Sequence, residues 1–264
     1  MQVSKLKGKH ILLTRTVHQN EELDELVRSY GAEPELFPCL EMEPMPDETM
    51  SGLSMLDDCS DVVFSSSNAI HILAGLLDKE NLNLATVLKD KRIAVVGNKT
   101  AKALKQYDVH IDLVPRTSSQ DGLIEAYLQR GLPRSTLMFF RADEGREALA
   151  RALTSRGVKV VMVPVYRMGL PKTDSRQIIS SMAAGYIDAV LLGSAKAAHN
   201  YLRRIDDKAL ANQPVIVVIS KKLAKAAGNL GLDVQVVAKD ASFESMLDGL
   251  AEYFESIPSS RGAL

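Results

Sequence analysis

The sequence predicts an α/β protein built as two doubly wound lobes, each around a parallel sheet. Three observations carry this. Short apolar runs rich in Val, Ile and Leu alternate with amphipathic stretches, the rhythm of βαβ units. Most of these runs are apolar throughout, as strands covered on both faces are. The chain also repeats itself. HILLTR at Arg15 and TLMFFR at Arg141 stand 126 residues apart, and the same offset aligns Gly31 with Gly157 and Pro38 with Pro164. DVVFSSS from Asp61 matches DAVLLGS from Asp188 at an offset of 127, and RIAVVGNKTAKAL from Arg92 matches VIVVISKKLAKAA from Val215 at 123. A period of this length is domain-sized, so it implies two similar lobes with a cleft between them rather than a solenoid.

The strands predicted from the apolar runs are Ile11–Thr14, Glu33–Phe37, Val62–Ser65, Ile93–Val96, Ile111–Val114, Thr136–Phe140, Lys159–Val163, Ala189–Leu192, Val215–Ile219 and Val234–Val237. Helical patterns fall between them at Glu21–Tyr30, Ala69–Leu77, Thr100–Tyr107, Gln120–Gln129, Glu144–Arg156, Ser175–Ala184, Lys196–Arg203, Lys222–Leu230 and Phe243–Phe254. Ser67, Ser119, Asp174 and Ser242 stand where N-caps belong, and Gly31, Gly157 and Gly231 where helices end. Ten strands over two lobes give five each, the count of a flavodoxin-like sheet. The division of the chain stays open at this point. The cut falls between the repeats, or each repeat lends its first arm to the other lobe through the proline-punctuated stretches Glu33–Pro46 and Lys159–Pro171.

With 264 residues the chain has room for two modest cores. A net charge of −1 excludes a global basic field for nucleic acid. Cys39 and Cys59 make neither a disulfide framework nor a C-x-x-C motif. The first apolar run is four residues long, too short for a signal peptide, and no run approaches the ~20 residues of a membrane span. A cytoplasmic protein is expected.

In doubly wound sheets, ligands bind beyond the carboxyl ends of the strands. Those ends carry Thr14, Arg15 and Thr16; Ser65, Ser66, Ser67 and Asn68; Gly97, Asn98, Lys99 and Thr100; Arg141; Gly193, Ser194 and Lys196; and Ser220, Lys221 and Lys222. The set is small, hydroxylic and cationic. Any one serine is accounted for as an N-cap, but both lobes repeat the pattern, and helix N-termini with hydroxyls and cations suit a polyanion. Other chemistries fail on spacing. There is no G-x-G-x-x-G, and Arg92 stands where a phosphate loop ending in Gly97-Asn98-Lys99-Thr100 needs its first glycine. The five histidines form no metal motif, no serine sits in G-x-S-x-G, and the first strand lacks an acidic cluster for magnesium. Tyr166 in VMVPVYRMGLP is either a packing tyrosine or a phenol placed to donate a proton; the first repeat has Leu40 there.

Taken in order, ILLTR with Arg15, Gly31, the Pro38 strand, DVVFSSSNAI, IAVVGNKTAKAL, PVYR with Tyr166, DAVLLGS and LGLDVQVVA resemble the uroporphyrinogen-III synthase family over essentially the whole chain. The resemblance implies two flavodoxin-like domains joined by a two-stranded linker. Residues 1–37 with 168–264 would form one domain and 42–164 the other, with linker strands near 38–41 and 165–167. It implies a monomeric, cofactor-free lyase whose substrate is the polycarboxylate hydroxymethylbilane, with no metal, nucleic acid or membrane involved. Tyr166 would be the acid. Arg15, Ser65, Ser66, Ser67, Asn68, Gly97, Asn98, Lys99, Thr100, Arg141, Ser194, Lys196, Ser220 and Lys221 would hold substrate. The chain departs from the family at Ser220-Lys221-Lys222-Leu223-Ala224, where Leu223 replaces a threonine, and at Asp108, where a glycine is expected. The first departure keeps a non-catalytic tetrapyrrole- or anion-binding relative as the rival reading.

Overall fold

The computed structural model describes residues 6–257. The outermost residues of the expected first domain, 1–5 and 258–264, lie outside them. In chain order the elements begin β1 (His10–Leu13), α1 (Val17–Ser29), β2 (Glu33–Leu36), β3 (Glu41–Pro44), α2 (Pro46–Leu53), β4 (Cys59–Phe64), α3 (Ser67–Lys79), α4 (Leu84–Val87), β5 (Arg92–Val95), α5 (Asn98–Lys105) and α6 (Gln120–Arg130). They continue β6 (Thr136–Ala142), α7 (Ala148–Thr154), β7 (Val160–Gly169), α8 (Arg176–Ala183), β8 (Ala189–Leu192), α9 (Ala195–Ile205), α10 (Lys208–Ala211), β9 (Val215–Val218), α11 (Lys221–Leu230), β10 (Val234–Val237) and α12 (Phe243–Ser256). Two compact units result. Unit 1 takes the chain up to Glu41 and from Gly169 onward; unit 2 is Met42–Met168.

Each unit has one five-stranded sheet, ordered β10-β9-β8-β1-β2 in unit 1 and β3-β7-β6-β4-β5 in unit 2. The first is the flavodoxin-like order. The pairs β1–β2, β1–β8, β8–β9 and β9–β10 in unit 1, and β4–β5, β4–β6 and β6–β7 in unit 2, are parallel. By the repeat, β6 corresponds to β1, β7 to β2, β4 to β8 and β5 to β9. The four-strand core β2-β1-β8-β9 is thus reproduced as β7-β6-β4-β5.

Alternate residues along these strands face opposite layers of helices. In unit 2, Val62, Phe64, Met138 and Phe140 pack on one side and Val63, Leu137 and Phe139 on the other. In unit 1, Leu12, Val190 and Ile216 oppose Ile11, Leu13 and Val217 in the same way. Each such fully buried aliphatic side chain contributes about 1.5–3 kcal/mol.

The fifth strand of unit 2 differs from expectation. Ile111–Val114 is not a strand; it keeps a single bridge, Ala94 to Leu113. Its repeat partner β10 continues because the Ala238 N–H donates to Val218 O at 2.9 Å. The equivalent position is Pro115, which has no N–H to give. Unit 2 recovers five strands with β3 instead. Met45 N donates to Val165 O at 2.9 Å and Arg167 pairs with Glu43 at 2.8 Å, so β3 runs antiparallel to β7.

Helix ends also need corrections. The cap of α3 is Ser66, not Ser67; Ser66 Oγ accepts from Ala69 N at 3.2 Å. Ser175 stands at the N-cap of α8 without a side-chain bond, while Asp174 Oδ1 accepts from Arg176 N at 2.9 Å. The helix expected from Glu144 begins only at Ala148, because Gly145, at φ 142°, turns the chain in a loop that helix cannot continue.

Candidate functional site

Parallel strands bring their carboxyl ends to one edge of each sheet, so the sequence-predicted residues gather on a rim in each unit. In unit 2 the rim begins with Ser65, Ser66, Ser67 and Asn68 after β4, all half-buried. Ser65 Oγ donates weakly to Phe140 O at 3.4 Å. Ser66 Oγ caps α3 and lies 3.2 Å from the Tyr166 hydroxyl. Tyr166 is only 7% exposed, with its ring in the core beneath α3. Its phenol therefore sits beside the N-cap of α3.

After β5, α5 starts at Gly97 with no side-chain cap. The first-turn N–H groups of Asn98, Lys99 and Thr100 thus have no serine accepting from them. A Cβ at Gly97 would stand 2.9 Å from Ser118 Cβ and Oγ, so glycine is what lets Ser118 approach this helix start. Asn98 and Lys99 are exposed and Thr100 is buried. Arg141 is set apart. Its guanidinium is buried, donates to Gly145 O at 3.0 Å and to Met162 Sδ at 3.5 Å, and lies 3.6 Å from Glu147. It holds the loop that follows its own strand.

The rim of unit 1 is arranged differently. Ser194 and Ser220 cap α9 and α11, accepting from Ala197 N at 3.1 Å and Leu223 N at 3.3 Å. Each cap is worth about 1 kcal/mol. Thr14 is fully buried and donates to Leu191 O at 2.7 Å, which makes it structural. Arg15 is half-buried, with its guanidinium 4.9 Å from the Phe243 ring centre. Burial pulls its pKa below the ordinary value, and Glu22 opposes this. Lys196 is half-buried and Lys221 and Lys222 are exposed. Leu223 is 5% exposed, so the threonine it replaces is answered by a core contact.

Two rim residues escaped the sequence reading. Ser118 lies in a Thr-Ser-Ser run of which only the last member reads as a cap. Phe243 follows the cap Ser242, where the first repeat has Gln120. The signal for Phe243 was Gly193, since a Cβ there would meet the Phe243 ring at 3.2 Å. Among the described residues no His, Cys, Asp and Glu cluster is arranged to hold a metal, and no helix is long and apolar enough to cross a membrane. Both rims carry hydroxyls and cations, and among the described residues the rim of unit 2 adds the Tyr166 phenol.

The family model for uroporphyrinogen-III synthase HemD matches residues 21–248. The chain is 28% identical over 249 residues to the porphyrin biosynthesis protein HemD of Ruminiclostridium josui, a match covering 94% of this chain and 49% of that protein. It therefore spans about half the length of that relative. It is 25% identical over 260 residues to the uroporphyrinogen-III synthase of Synechococcus elongatus, covering 94% and 96% of the two chains. A crystal structure of a mutant uroporphyrinogen III synthase from the extremely thermophilic bacterium Thermus thermophilus has the same fold. It aligns at 18% identity with a TM-score of 0.59, covering 94% of this chain and all of that one.

Proposed function

Because the chain belongs to the uroporphyrinogen-III synthase family, we propose that it closes hydroxymethylbilane to uroporphyrinogen III, inverting ring D and releasing water. In reaction-class terms it is a carbon–oxygen lyase of tetrapyrrole biosynthesis. The observation that carries this is the family match over residues 21–248.

The residues fit the chemistry step by step. Hydroxide leaves the hydroxymethyl carbon and takes up a proton, giving water and an azafulvenium cation that keeps its pyrrole N–H. The Tyr166 hydroxyl, beside Ser66 at the start of α3, is the proton donor. The substituted carbon of ring D then attacks to give a spiro-pyrrolenine, which fragments and recloses with the ring inverted. The phenolate regains its proton when the final pyrrole carbon loses one, so the enzyme ends as it began. No redox step and no cofactor is required.

The bilane closes to the unflipped isomer without assistance, so selecting its fold matters more than lowering one barrier. That is catalysis by positioning. Each rim taken by itself has groups suited to a carboxylate: in unit 2 the uncapped start of α5 with Lys99 and Ser118, and in unit 1 Arg15 with Lys196 and Lys221. The family's chemistry is compatible with a monomer working in the cytoplasm.

The test is turnover. The protein is supplied with hydroxymethylbilane generated in place, and the oxidised products are resolved by chromatography. Type III product above the spontaneous background supports the reading; type I alone overturns it.

A further inference from the structure

Helix α9 carries two polar side chains at positions where its repeat partner carries apolar ones. Leu191 stands beside Leu13 as Val63 stands beside Phe139, and the caps Ser194 and Ser66 match, so α9 aligns with α3 at an offset of 128. Asn200 then corresponds to Ile72 and Arg204 to Leu76, which are half-buried. Asn200 and Arg204 are more deeply buried, at 3% and 8% exposed. Burying an amide and a guanidinium costs several kcal/mol unless their donors are satisfied. Their partners show what they are for.

Asn200 Nδ2 donates to Cys39 O at 2.7 Å and lies 3.5 Å from Gly169 O. Arg204 Nη1 donates to Pro38 O. Arg204 Nη2 donates to Thr173 O at 2.7 Å and Thr173 Oγ1 at 3.0 Å. The guanidinium stacks over Phe37 with its central carbon 4.1 Å from the ring centre. These acceptors are backbone carbonyls and one hydroxyl, with no carboxylate among them. They belong to two segments, residues 38–39 and 169–173. The first is where the chain is about to leave unit 1, and the second is where it has just returned.

We propose that Asn200 and Arg204 are positioning residues that clamp both crossing segments to α9 of unit 1, and so hold the two chain crossings in the path that turnover requires. One turn of helix holds both the outgoing and the returning segment. Ile72 and Leu76 of α3 have no such task, because in unit 2 the chain continuing from these crossings is carried in the sheet as β3 and β7. A fork of five donors on a rigid plane suits Arg204 to gather carbonyls from two segments at once. Ser194 at the other end of α9 belongs to the rim, so one helix connects the clamp to the site.

The clamp is tested by making these positions of α9 apolar, as Asn200→Leu with Arg204→Leu. A buried polar cluster replaced by apolar side chains of similar volume commonly leaves a protein folded. Hydrogen exchange is followed at the Cys39 amide, which donates to Thr14 O at 3.0 Å within the clamped segment. Exchange there is expected to quicken at least tenfold, with the β8 and β9 amides unchanged. Exchange at Cys39 within twofold of wild type overturns the clamp. The single variant Arg204→Lys, which keeps the charge and loses the fork, serves if the double variant does not fold; it is expected to show an intermediate rate, and a wild-type rate again overturns the proposal.

The functional half rests on the activity proposed above and has its own readout. In the double variant kcat should fall about tenfold while KM moves less than twofold, and Arg204→Lys should recover part of the loss. Faster exchange with kcat unchanged overturns the positioning role. Failure of the wild-type protein itself to make uroporphyrinogen III counts against the activity reading and leaves the exchange result to decide the clamp.

Discussion

Arg15 and Arg141 are the same residue of the repeat, and the two units use them in opposite ways. Arg141 is buried and spends its guanidinium on Gly145 O, Met162 Sδ and Glu147, so it shapes a loop. Arg15 is half-buried over Phe243 and remains on the rim. Other equivalent positions diverge as well. The helix start at Ser220 is capped by its own serine, whereas the equivalent start at Gly97 is uncapped and admits Ser118. Buried Leu223 corresponds to Thr100, and Leu40 to Tyr166. Duplication preserved the four-strand core, while the loops and helix starts beyond the strands, which carry less of the stability, diverged. Two unlike rims are in keeping with the proposed substrate, whose four rings must be distinguished.

The largest effect that breaks this comparison is expected at Tyr166. Tyr166→Phe keeps the ring in the core and removes the hydroxyl that meets Ser66. Loss of a general acid typically costs 10²–10⁴-fold, so kcat should drop roughly 100-fold with the unfolding midpoint little changed. Full turnover in this variant would reassign the acid.

The two cysteines give the next effect. Burial pushes the Cys39 thiol up to about 12, while that of Cys59 is raised, again mainly by burial. In the unfolded chain a thiol titrates near ~8.5. Between about pH 8.5 and 12 the unfolded state has lost this proton and the folded state keeps it, so stability falls as pH rises. Cys39→Ala lacks this linkage. Its stability deficit against wild type should narrow between pH 9 and 11, by up to about 1.4 kcal/mol per pH unit, in urea titrations. A deficit independent of pH would show that Cys39 is less sheltered than its surroundings indicate.

The smallest effect makes the two units more alike. Asp108 ends the segment after α5 at φ 55°, where its repeat partner Gly231 has φ 88°. An L-residue with a Cβ is disfavoured in that region. Asp108→Gly should therefore stabilise unit 2 by about 0.5–1 kcal/mol, seen as a raised thermal midpoint. A lowered midpoint would mean that the aspartate side chain contributes more than the strain costs.

The α/β class and the placement of most strands were legible because fully buried strands announce themselves as unbroken apolar runs, and β4, β6, β8 and β9 are of that kind. The rims were legible as residue types, since a parallel sheet places its loops in a known position. Detail was lost where one atom decides the outcome. Ile111–Val114 looks like β10 on composition, and only the missing N–H of Pro115 ends it. Glu41–Pro44 carries no strand signature in its charges, because β3 is defined by its pairing with β7. Ser66 and Ser67 compete for one cap, and sequence does not say which side chain points at Ala69 N. The burial of Arg141 depends on Gly145 and Glu147, whose sequence reads as the start of a helix. Asn200 and Arg204 sit in an amphipathic pattern that looks ordinary until their partners in residues 38–39 and 169–173 are seen.

The central claim is that the repeat kept one scaffold and divided its chemistry, with Arg15 facing ligand and Arg141 facing protein. The most direct measurement compares Arg15→Ala and Arg141→Ala for KM toward hydroxymethylbilane and for the urea midpoint of unfolding. Arg15→Ala should raise KM about tenfold, the worth of one charge-assisted contact, and leave the midpoint nearly unchanged. Arg141→Ala should lower stability by about 2 kcal/mol, as loss of a buried hydrogen-bonded cation does, with KM of the folded protein close to wild type. The reverse pattern, a KM effect at Arg141 and a stability effect at Arg15, would contradict the division.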